Sequence, residues 1–308
     1  MFTPSWPHGF LSQASLCDLK QVTGRHRHQL KFESGEAITA RYVVGADGSN
    51  SPVRSLAGIS FIDPYTNTLA TPGRNESSFV VADVLVSDPA NTVPSNGIQI
   101  KISDEGLVLT APIPDSSLCA TDSTQKLIRL YVGMTETPPR SPDMAYLQQI
   151  LDARGPGNRS IPPSVPRIAQ VLDSARYRTR PAIADRFMRV SEGGAYILLI
   201  GDAAHTQGPG GGQGMNLGIT EGCLLAEAIQ RHRNADSDTR VLEEYSERRR
   251  VVACQVVDLA QGITTFEAGG PGWAPYLRAV AMWAFFKVPF MNEKMAWKIS
   301  GLGYKKFQ

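Results

Sequence analysis

Residues suited to binding a small molecule are concentrated in one stretch of this chain, between a buried strand and a helix. Residues 196–200 read YILLI and predict a buried strand, and the carboxylate of Asp202 follows closely. Five glycines and one proline then occupy 208–214, before a helical pattern that runs from Met215 through Ala228. Because glycine lacks a Cβ and tolerates positive φ, such a loop lets main-chain N–H groups and a helix N-terminus approach a ligand. The stretch therefore predicts a site for an anionic or polar ligand.

A second acidic residue stands in the same position relative to another apolar run. Residues 42–46 read YVVGA and predict a buried strand, which leads into Asp47 and Gly48. A short helix should follow, because Ser51 is a good N-cap and Pro52 suits the first helical turn. We expect the two strand-ending acids to belong to one domain, although they are far apart in the chain.

Composition limits the classes of protein to consider. A chain of 308 residues with 42% hydrophobic content can bury a large core. The formal net charge of +2 does not suit a nucleic-acid surface. The four cysteines are widely spaced and do not match a metal-binding pattern, so we predict no metal site. Scattered cysteines of this kind are typical of reduced thiols inside the cell.

Neither end of the chain predicts a membrane segment. The first residues lack the basic start and apolar run of a signal peptide, so we expect a cytoplasmic protein. The most apolar segment near the other end is 279–286, whereas a transmembrane helix needs about 20 residues. We therefore expect no transmembrane span, and a helix docked on its own domain there.

The segment between the two acidic turns has the composition of an antiparallel sheet. Four apolar runs are separated by turns rich in Pro, Asn, Asp and Ser. The runs are 78–86, 97–102, 106–110 and 126–132. A hairpin is predicted at 28–41, one helix at 144–154 and a long helix at 241–268. The run 176–180 is expected to lead back to the glycine-rich stretch.

These patterns predict an α/β chain with three parts. A discontinuous nucleotide-binding type of domain comprises 1–59 and 185–265. A β-rich domain at 60–184 is inserted between its two halves, and 266–308 forms a C-terminal helical segment.

Two motifs resemble the fingerprints of the class A flavin-dependent monooxygenases of the aromatic-hydroxylase type. Residues 45–54, GADGSNSPVR, are similar to the DG fingerprint, and 201–205, GDAAH, with 209–216, PGGGQGMN, are similar to the GD fingerprint. The order of the motifs, the inserted β domain and the YSERR run at 245–249 also match, and 299–302 is similar to the tail of fungal members. The resemblance implies a truncated FAD/NAD(P)-binding, aromatic hydroxylase-like domain with an inserted antiparallel β-sheet substrate domain and C-terminal helices.

The resemblance also implies a role for the residues of the GD fingerprint. Asp202 would accept hydrogen bonds from the ribityl chain of FAD, and the loop from Pro209 to Gly214 would lie against the isoalloxazine ring. The N–H groups of Met215 and Asn216 would face the pyrimidine edge, where a helix N-terminus stabilises the negative charge that develops on reduction. The full expected cofactor-binding set is Gln13, Asp47, Gly48, Arg54, Gly201, Asp202, Ala203, Pro209, Gly212, Gly214, Met215 and Asn216.

Other matched residues have a structural interpretation beside the functional one. Asp47 would help hold the ribose and pyrophosphate side, or it caps the helix that follows. Arg54 would orient the DG turn, or it pairs with a carboxylate. Gln13 resembles a glutamine that touches the flavin in relatives, and His205 is interpreted as a packing residue rather than an acid or base. No catalytic side chain is predicted, because in this family the cofactor performs the oxygen chemistry.

One part of the family pattern is missing from this sequence. Relatives carry a G-x-G-x-x-G βαβ unit that binds the ADP half of FAD, and no such motif precedes Asp47. We therefore expect FAD binding to be weak or lost. The strand at 196–200 would also lack a neighbour, so its sheet edge must be paired by other strands, covered by a partner chain or dimer, or left exposed.

Two classes of function follow from these observations. The first is an FAD-dependent monooxygenase of natural-product or aromatic metabolism, which would hydroxylate or epoxidise a small organic substrate with NAD(P)H and O2. The alternative is a flavin-independent enzyme that guides a non-redox cyclisation or cycloaddition by shape and hydrogen bonding, or a non-catalytic remnant. The intact motif at 201–216 favours the first and the missing βαβ unit favours the second. We adopt the first as the predicted function.

Overall fold

The computed structural model describes residues 15–22, 26–71, 77–103, 106–113, 125–134, 136–208, 212–234 and 238–267, together with Val288 and Phe290. The helices are α1 Pro52–Leu56, α2 Met144–Arg154, α3 Gly214–Asn234 and α4 Arg240–Glu267. The strands are β1 Leu16–Gln21, β2 His28–Phe32, β3 Ala37–Ala40, β4 Tyr42–Gly45, β5 Phe61–Ile62, β6 Ser77–Ser87, β7 Gln99–Ser103, β8 Gly106–Pro112, β9 Gln125–Met134, β10 Arg167–Thr179, β11 Ala182–Ala184, β12 Met188–Val190, β13 Tyr196–Leu199 and β14 His205–Thr206.

The β-rich region forms a five-stranded sheet in the order β10-β6-β9-β8-β7, with every pair antiparallel. One face of this sheet packs against α2 through a core of valines, leucines and isoleucines. Helix α2 has the predicted bounds because Asp143 caps it, accepting the Tyr146 N–H at 2.8 Å. The antiparallel sheet and the helix are therefore confirmed.

The run 176–180 is more regular than the sequence suggested. Most of it is the end of β10, which pairs with β6 as far as Thr179. Charged residues are spread along β10, at Arg167, Asp173, Arg176 and Arg178, and this composition suits its place at the edge of the sheet. The strand is therefore hard to recognise from hydrophobicity alone, and its pairing with β6 identifies it.

The strand before the GD fingerprint, β13, is the centre of a three-stranded sheet. It pairs antiparallel with β12 and parallel with β4. All four of its side chains are buried, and they alternate between two hydrophobic clusters on opposite faces of the sheet. This burial on both faces agrees with the uninterrupted apolar run from which the strand was predicted.

Strand β12 supplies the neighbour that the sequence left unassigned for β13. Within the part of the chain that the structure describes, β4 is hydrogen-bonded to a strand on one side only, and Val44 on it is 39% exposed. Coverage of this edge by a partner chain stays a prediction.

Two further sheets complete the region around the motifs. The predicted hairpin at 28–41 is confirmed as β2 and β3, and β1 adds a third antiparallel strand. Strands β14, β11 and β5 form the other sheet, and β11 is buried in the same core as β13. The two ends of the inserted β-rich region therefore pack beside the turn Gly201–Ala203 of the GD fingerprint, which is called the GD turn below.

The two long helices agree with the sequence pattern, although α3 is longer than predicted. It begins at Gly214 and continues to Asn234, past the expected end at Ala228. Helix α4 matches the predicted long helix at 241–268 closely. The expected C-terminal helical segment lies outside the described residues, apart from its start and Val288 and Phe290. No helix in the described ranges has the length and apolar character to cross a bilayer.

Candidate active site

The GD turn follows directly from the end of β13. The Ile200 N–H donates to the Gly45 carbonyl at 3.0 Å, and residues Gly201–Ala203 then form one turn of 3-10 helix. Gly201 has φ +58°, which residues with a Cβ rarely adopt, so glycine is needed at this corner. Asp202 is exposed on the turn, whereas Ala203 is fully buried. The acidic side chain is therefore open to solvent just after the end of a buried strand.

The N-terminus of α3 forms the second side of the site. The first main-chain N–H groups of a helix have no partner within it, and here they belong to Gly214, Met215 and Asn216. Met215 is 73% exposed and Asn216 is also exposed, so this end of the helix is open. Gly212 has φ +61°, and among the described residues no atom lies within 4 Å of a Cβ built on it. A flat ligand can therefore approach the main chain here.

A glycine pair brings the GD turn and α3 into direct contact. A Cβ built on Gly218 would lie 3.3 Å from the Gly201 Cα, which is tighter than most real Cβ contacts. The obstacle is main chain rather than a flexible side chain, so neither segment could move aside easily. The packing of Gly218 therefore sets how close Asp202 lies to the helix N-terminus.

Alanine substitutions at two glycines of α3 should have opposite effects on stability. Gly222→Ala should raise the free energy of unfolding by about 0.5–1 kcal/mol, because alanine favours a helix and its Cβ makes only ordinary contact, 3.8 Å from Ile200 Cδ1. Gly218→Ala should instead lower it by about 1 kcal/mol, since the overlap with Gly201 outweighs the same gain in helix propensity. Urea unfolding measures both, and equal stabilisation by the two variants would contradict this account of the contact.

Asp47 in the DG fingerprint caps the helix that follows it. One carboxylate oxygen accepts the Ser51 hydroxyl, and the other accepts the Val53 N–H at 3.0 Å. Ser51 in turn accepts the Arg54 N–H at 2.9 Å, as expected for an N-cap. Gly48 follows Asp47 in the same turn. The capping interpretation of Asp47 is thus observed, and its role toward the ribose and pyrophosphate stays a prediction.

Arg54 links the two fingerprint turns, which are the DG turn around Asp47 to Ser49 and the GD turn at 201–203. Its Nη1 donates to the Ala203 carbonyl at 2.9 Å and its Nη2 to the Ser49 carbonyl at 2.7 Å. The guanidinium lies 3.9 Å from the centroid of the Phe61 ring, and the residue is only 6% exposed. The pKa of Arg54 lies below its usual value, mainly because the side chain is buried. The charge of Arg180 lowers the pKa further, and the charge of Asp47 partly offsets both effects. The guanidinium therefore binds carbonyls of both turns rather than one carboxylate.

Two polar side chains beside these turns were not identified from the sequence. The Nη1 of Arg180 is buried without a hydrogen-bond partner among the described residues. One end of the Gln207 amide lies 3.4 Å from His205 Nδ1, and the other end is buried and unpaired within the same described ranges. That unpaired end lies 3.3 Å from a Cβ built on Gly214. Neither residue belongs to a fingerprint, and no local pattern distinguishes them.

These unpaired groups provide a test of whether the site fits a flavin. Buried polar atoms without partners are rare, and a bound molecule or an ordered water can satisfy them. An isoalloxazine ring and ribityl chain carry several acceptors and N–H or O–H donors. The open space at Gly212, the exposed carboxylate of Asp202 and the first N–H groups of α3, which have no acceptor within the helix, are complementary to such a molecule. The residues present therefore fit the isoalloxazine and ribityl part of FAD.

Not every predicted site residue can be placed. Gln13 and Pro209 lie outside the described residues. His205 is fully buried and stacks on Phe187, with ring centroids 6.0 Å apart, so its packing role is observed. Its ring also hydrogen-bonds to Glu221, a contact that the sequence did not reveal. Among the residues that the structure covers, no cluster of His, Cys, Asp and Glu could hold a metal ion.

A cleft of about 330 Å³ lies on the five-stranded sheet, on the face opposite α2. Its walls include the aromatic side chains of Phe79, Tyr131 and Tyr177. In it, Arg129 donates two hydrogen bonds of 2.7 Å to the Asp83 carboxylate, and these hydrogen bonds hold the pKa of Asp83 below its usual value. Cavities of this size and aromatic character accommodate small organic molecules.

The chain belongs to the FAD binding domain family, whose sequence profile matches residues 12–260. The mitochondrial ubiquinone biosynthesis monooxygenase COQ6 of Schizosaccharomyces pombe is 29% identical over 246 residues, which cover 71% of this chain and 48% of that protein. Phenol 2-monooxygenase fsqG of Aspergillus fumigatus is 28% identical over 232 residues, 72% of this chain and 34% of that protein. The chain therefore spans about half the length, or less, of these curated relatives.

Solved structures share the fold over almost the whole chain. The anhydrotetracycline hydroxylase OxyS from Streptomyces rimosus superposes with a TM-score of 0.65 at 20% identity, covering 94% of this chain and 52% of that one. The Diels-Alderase PyrE3 gives a TM-score of 0.63 at 21% identity, covering 94% and 55%. Likeness at these identities concerns the fold alone. Together with the family match, it confirms the predicted aromatic hydroxylase-like fold and the resemblance to flavin-dependent monooxygenases.

Proposed function

We propose that the protein is an FAD-dependent monooxygenase that hydroxylates or epoxidises a small aromatic or polyketide-like compound, with NAD(P)H as reductant and O2 as oxidant. The main support is that Arg54 joins the two fingerprint turns, beside an exposed Asp202 and the open N-terminus of α3. Membership of the FAD binding domain family and the monooxygenases among its relatives add to it.

In this proposal the protein binds and orients the cofactor. Asp202 accepts hydrogen bonds from the ribityl chain, and the N–H groups of Met215 and Asn216 face the pyrimidine edge. Asp47 and Gly48 lie toward the ribose and pyrophosphate. FAD, when bound, supplies the oxygen-transfer chemistry. The positive end of α3 would favour the flavin when it carries negative charge.

We assign the cleft on the five-stranded sheet to the substrate. Thr179 lines the cleft, and two residues separate it from β11, which pairs with β14 just after the GD turn. This path connects the cleft to the proposed flavin site. Aromatic walls would stack on a planar substrate and exclude water, and the paired Arg129 and Asp83 would offer it one donor and one acceptor surface.

Titration of the purified chain with FAD and with FMN tests the proposal. We expect the visible flavin bands to shift and flavin fluorescence to change at micromolar concentrations. Both flavins should bind within about tenfold of each other, a difference of about 1.4 kcal/mol, because most of the proposed contacts are to the ring and ribityl chain that they share and only Asp47 and Gly48 are assigned to a part that FMN lacks. Spectral changes also report binding independently of turnover.

Two results would count against this assignment. If neither flavin binds at micromolar concentration, the monooxygenase proposal fails, and conversion of a substrate without flavin or NADPH would favour the cyclisation alternative. If FAD binds and FMN does not, the chain is a flavoprotein, but the ring and ribityl contacts assigned here do not provide its affinity. The likeness to a Diels-Alderase does not by itself favour the alternative, because it concerns the fold only.

A further inference from the structure

Three ionisable side chains form a buried cluster beneath the GD turn, and the proposed function does not use them. They are Glu221 from α3, His205 from β14 and Arg249 from α4, and none is more than 2% exposed. Glutamate and arginine are almost never buried completely unless they are paired. Their partners therefore indicate what the cluster holds in place.

The Glu221 carboxylate is the acceptor at the centre of this cluster. The Gly201 N–H donates to its Oε2 at 2.8 Å, and His205 Nε2 lies 3.0 and 3.1 Å from its two oxygens. Because a carboxylate can only accept, Nε2 is the protonated ring nitrogen and donates. Arg249 Nη2 lies 4.0 Å from Oε1 and places a positive charge beside the carboxylate. Glu221 thus has two hydrogen-bond donors and one further cation.

Helix α4 also fixes the main chain at Glu221. The Tyr245 phenol donates to the Glu221 carbonyl at 2.9 Å. Burial and the negative charge of Glu221 raise the pKa of this phenol, so it remains a donor at neutral pH. Both the side chain and the main chain of Glu221 are therefore held in one position.

These contacts connect Glu221 to the two halves of the candidate active site. Gly201 immediately precedes Asp202, and His205 follows it by three residues, so one carboxylate holds the turn on both sides. Glu221 itself belongs to α3, whose N-terminus forms the other half of the site. A shift of Glu221 would therefore change the position of Asp202 relative to that N-terminus.

We propose that Glu221 is the positioning residue of the flavin site, acting through Gly201 and His205 to hold Asp202 at the correct distance from the N-terminus of α3. The identity of the ligand rests on the proposed function. The order that Glu221 imposes on the turn is present without any ligand, so it can be measured separately. A cluster that only stabilised the fold would not act selectively on this turn.

Hydrogen exchange of the free protein tests the effect on the turn. In Glu221→Gln the amide keeps the shape of the side chain, but it places an N–H group against one of the donors. Peptides covering 200–206 should exchange at least about tenfold faster, while those of the five-stranded sheet stay unchanged. Glu227→Gln is the matched control, because it removes the same charge from an exposed site on the same helix. Unchanged exchange at 200–206 would overturn the proposal.

An FMN titration supplies a second readout that a purely structural role would not produce. Glu221→Gln should weaken binding about tenfold. In an Asp202→Ala background the same change should weaken it by less than about twofold, because nothing is left to position. Equal losses in both backgrounds would overturn the proposal. If the unmodified chain binds no flavin, the proposed function fails, and hydrogen exchange still decides the role of Glu221.

His205→Gln is the second variant, in case Glu221→Gln does not fold. It removes the ring donor to Glu221 and leaves the bond from Gly201 in place. Exchange at 200–206 should then rise about threefold, less than for Glu221→Gln, because one of two links to the turn remains. Exchange unchanged from the parent protein would contradict the assignment.

Discussion

Arg54→Ala should lower the free energy of unfolding by about 3 kcal/mol or more, because two charge-assisted hydrogen bonds are lost and two carbonyls are left without donors. The guanidinium is buried, and it joins Ser49 in one turn to Ala203 in the other. Loss of its contact with the Phe61 ring removes further stabilisation. Chemical denaturation with a two-state fit measures the change.

Arg186→Ala is a suitable control for the loss of an arginine. Arg186 is exposed and forms an ion pair with its neighbour Asp185, an interaction worth less than about 1 kcal/mol. Arg54→Lys should recover no more than part of the loss, because an ammonium group lacks the planar fork that reaches two carbonyls. A loss below about 1 kcal/mol in Arg54→Ala would mean that the two turns are held together by other contacts.

Asp202→Ala should weaken flavin binding by about 10- to 100-fold and leave stability almost unchanged. The expected loss corresponds to one or two hydrogen bonds to a charged acceptor, about 1.5–3 kcal/mol. Stability should stay almost unchanged because the side chain of Asp202 is exposed. The main chain of its turn is held by the hydrogen bond from the Gly201 N–H to Glu221. Flavin fluorescence titration measures the affinity, and thermal unfolding measures the stability.

Asp152→Ala is the control for the removal of a negative charge. Asp152 lies on α2 in an exposed ion pair with Arg167, away from the fingerprint turns. It should bind flavin as the parent chain does. If Asp202→Ala also binds flavin with unchanged affinity, the exposed carboxylate is not a ligand of the ribityl chain, and the proposed orientation of the cofactor is wrong.

Elements with strong local signals were predictable from the sequence. Helix α2 was predicted with its observed bounds, and α1 begins after the Ser51 cap with Pro52 in its first turn. The apolar run before Asp202 is the fully buried strand β13. Caps, proline positions and apolar periodicity act within a few residues, so they can be read without knowing what packs nearby.

Contacts between distant segments were not predictable in the same way. Glu221 stands in the buried stripe of α3 with Leu217 and Leu225, and a charge at that spacing is the signal that could have identified it. The unpaired ends of Arg180 and Gln207 have no such signal. Their environment depends on which segments the fold brings beside the GD turn.

The sequence by itself determined the strand, acidic turn, glycine-rich loop and helix at 196–216, the matching DG turn, and hence the family. Glycine, a strand-ending acid and an apolar run have conformational consequences that are local. The tertiary structure alone decided that Arg54 joins the two turns and that Glu221 holds one of them from below. Such pairings depend on hydrogen-bond geometry between segments far apart in the chain, because a buried charge is stable only where the fold supplies its partners.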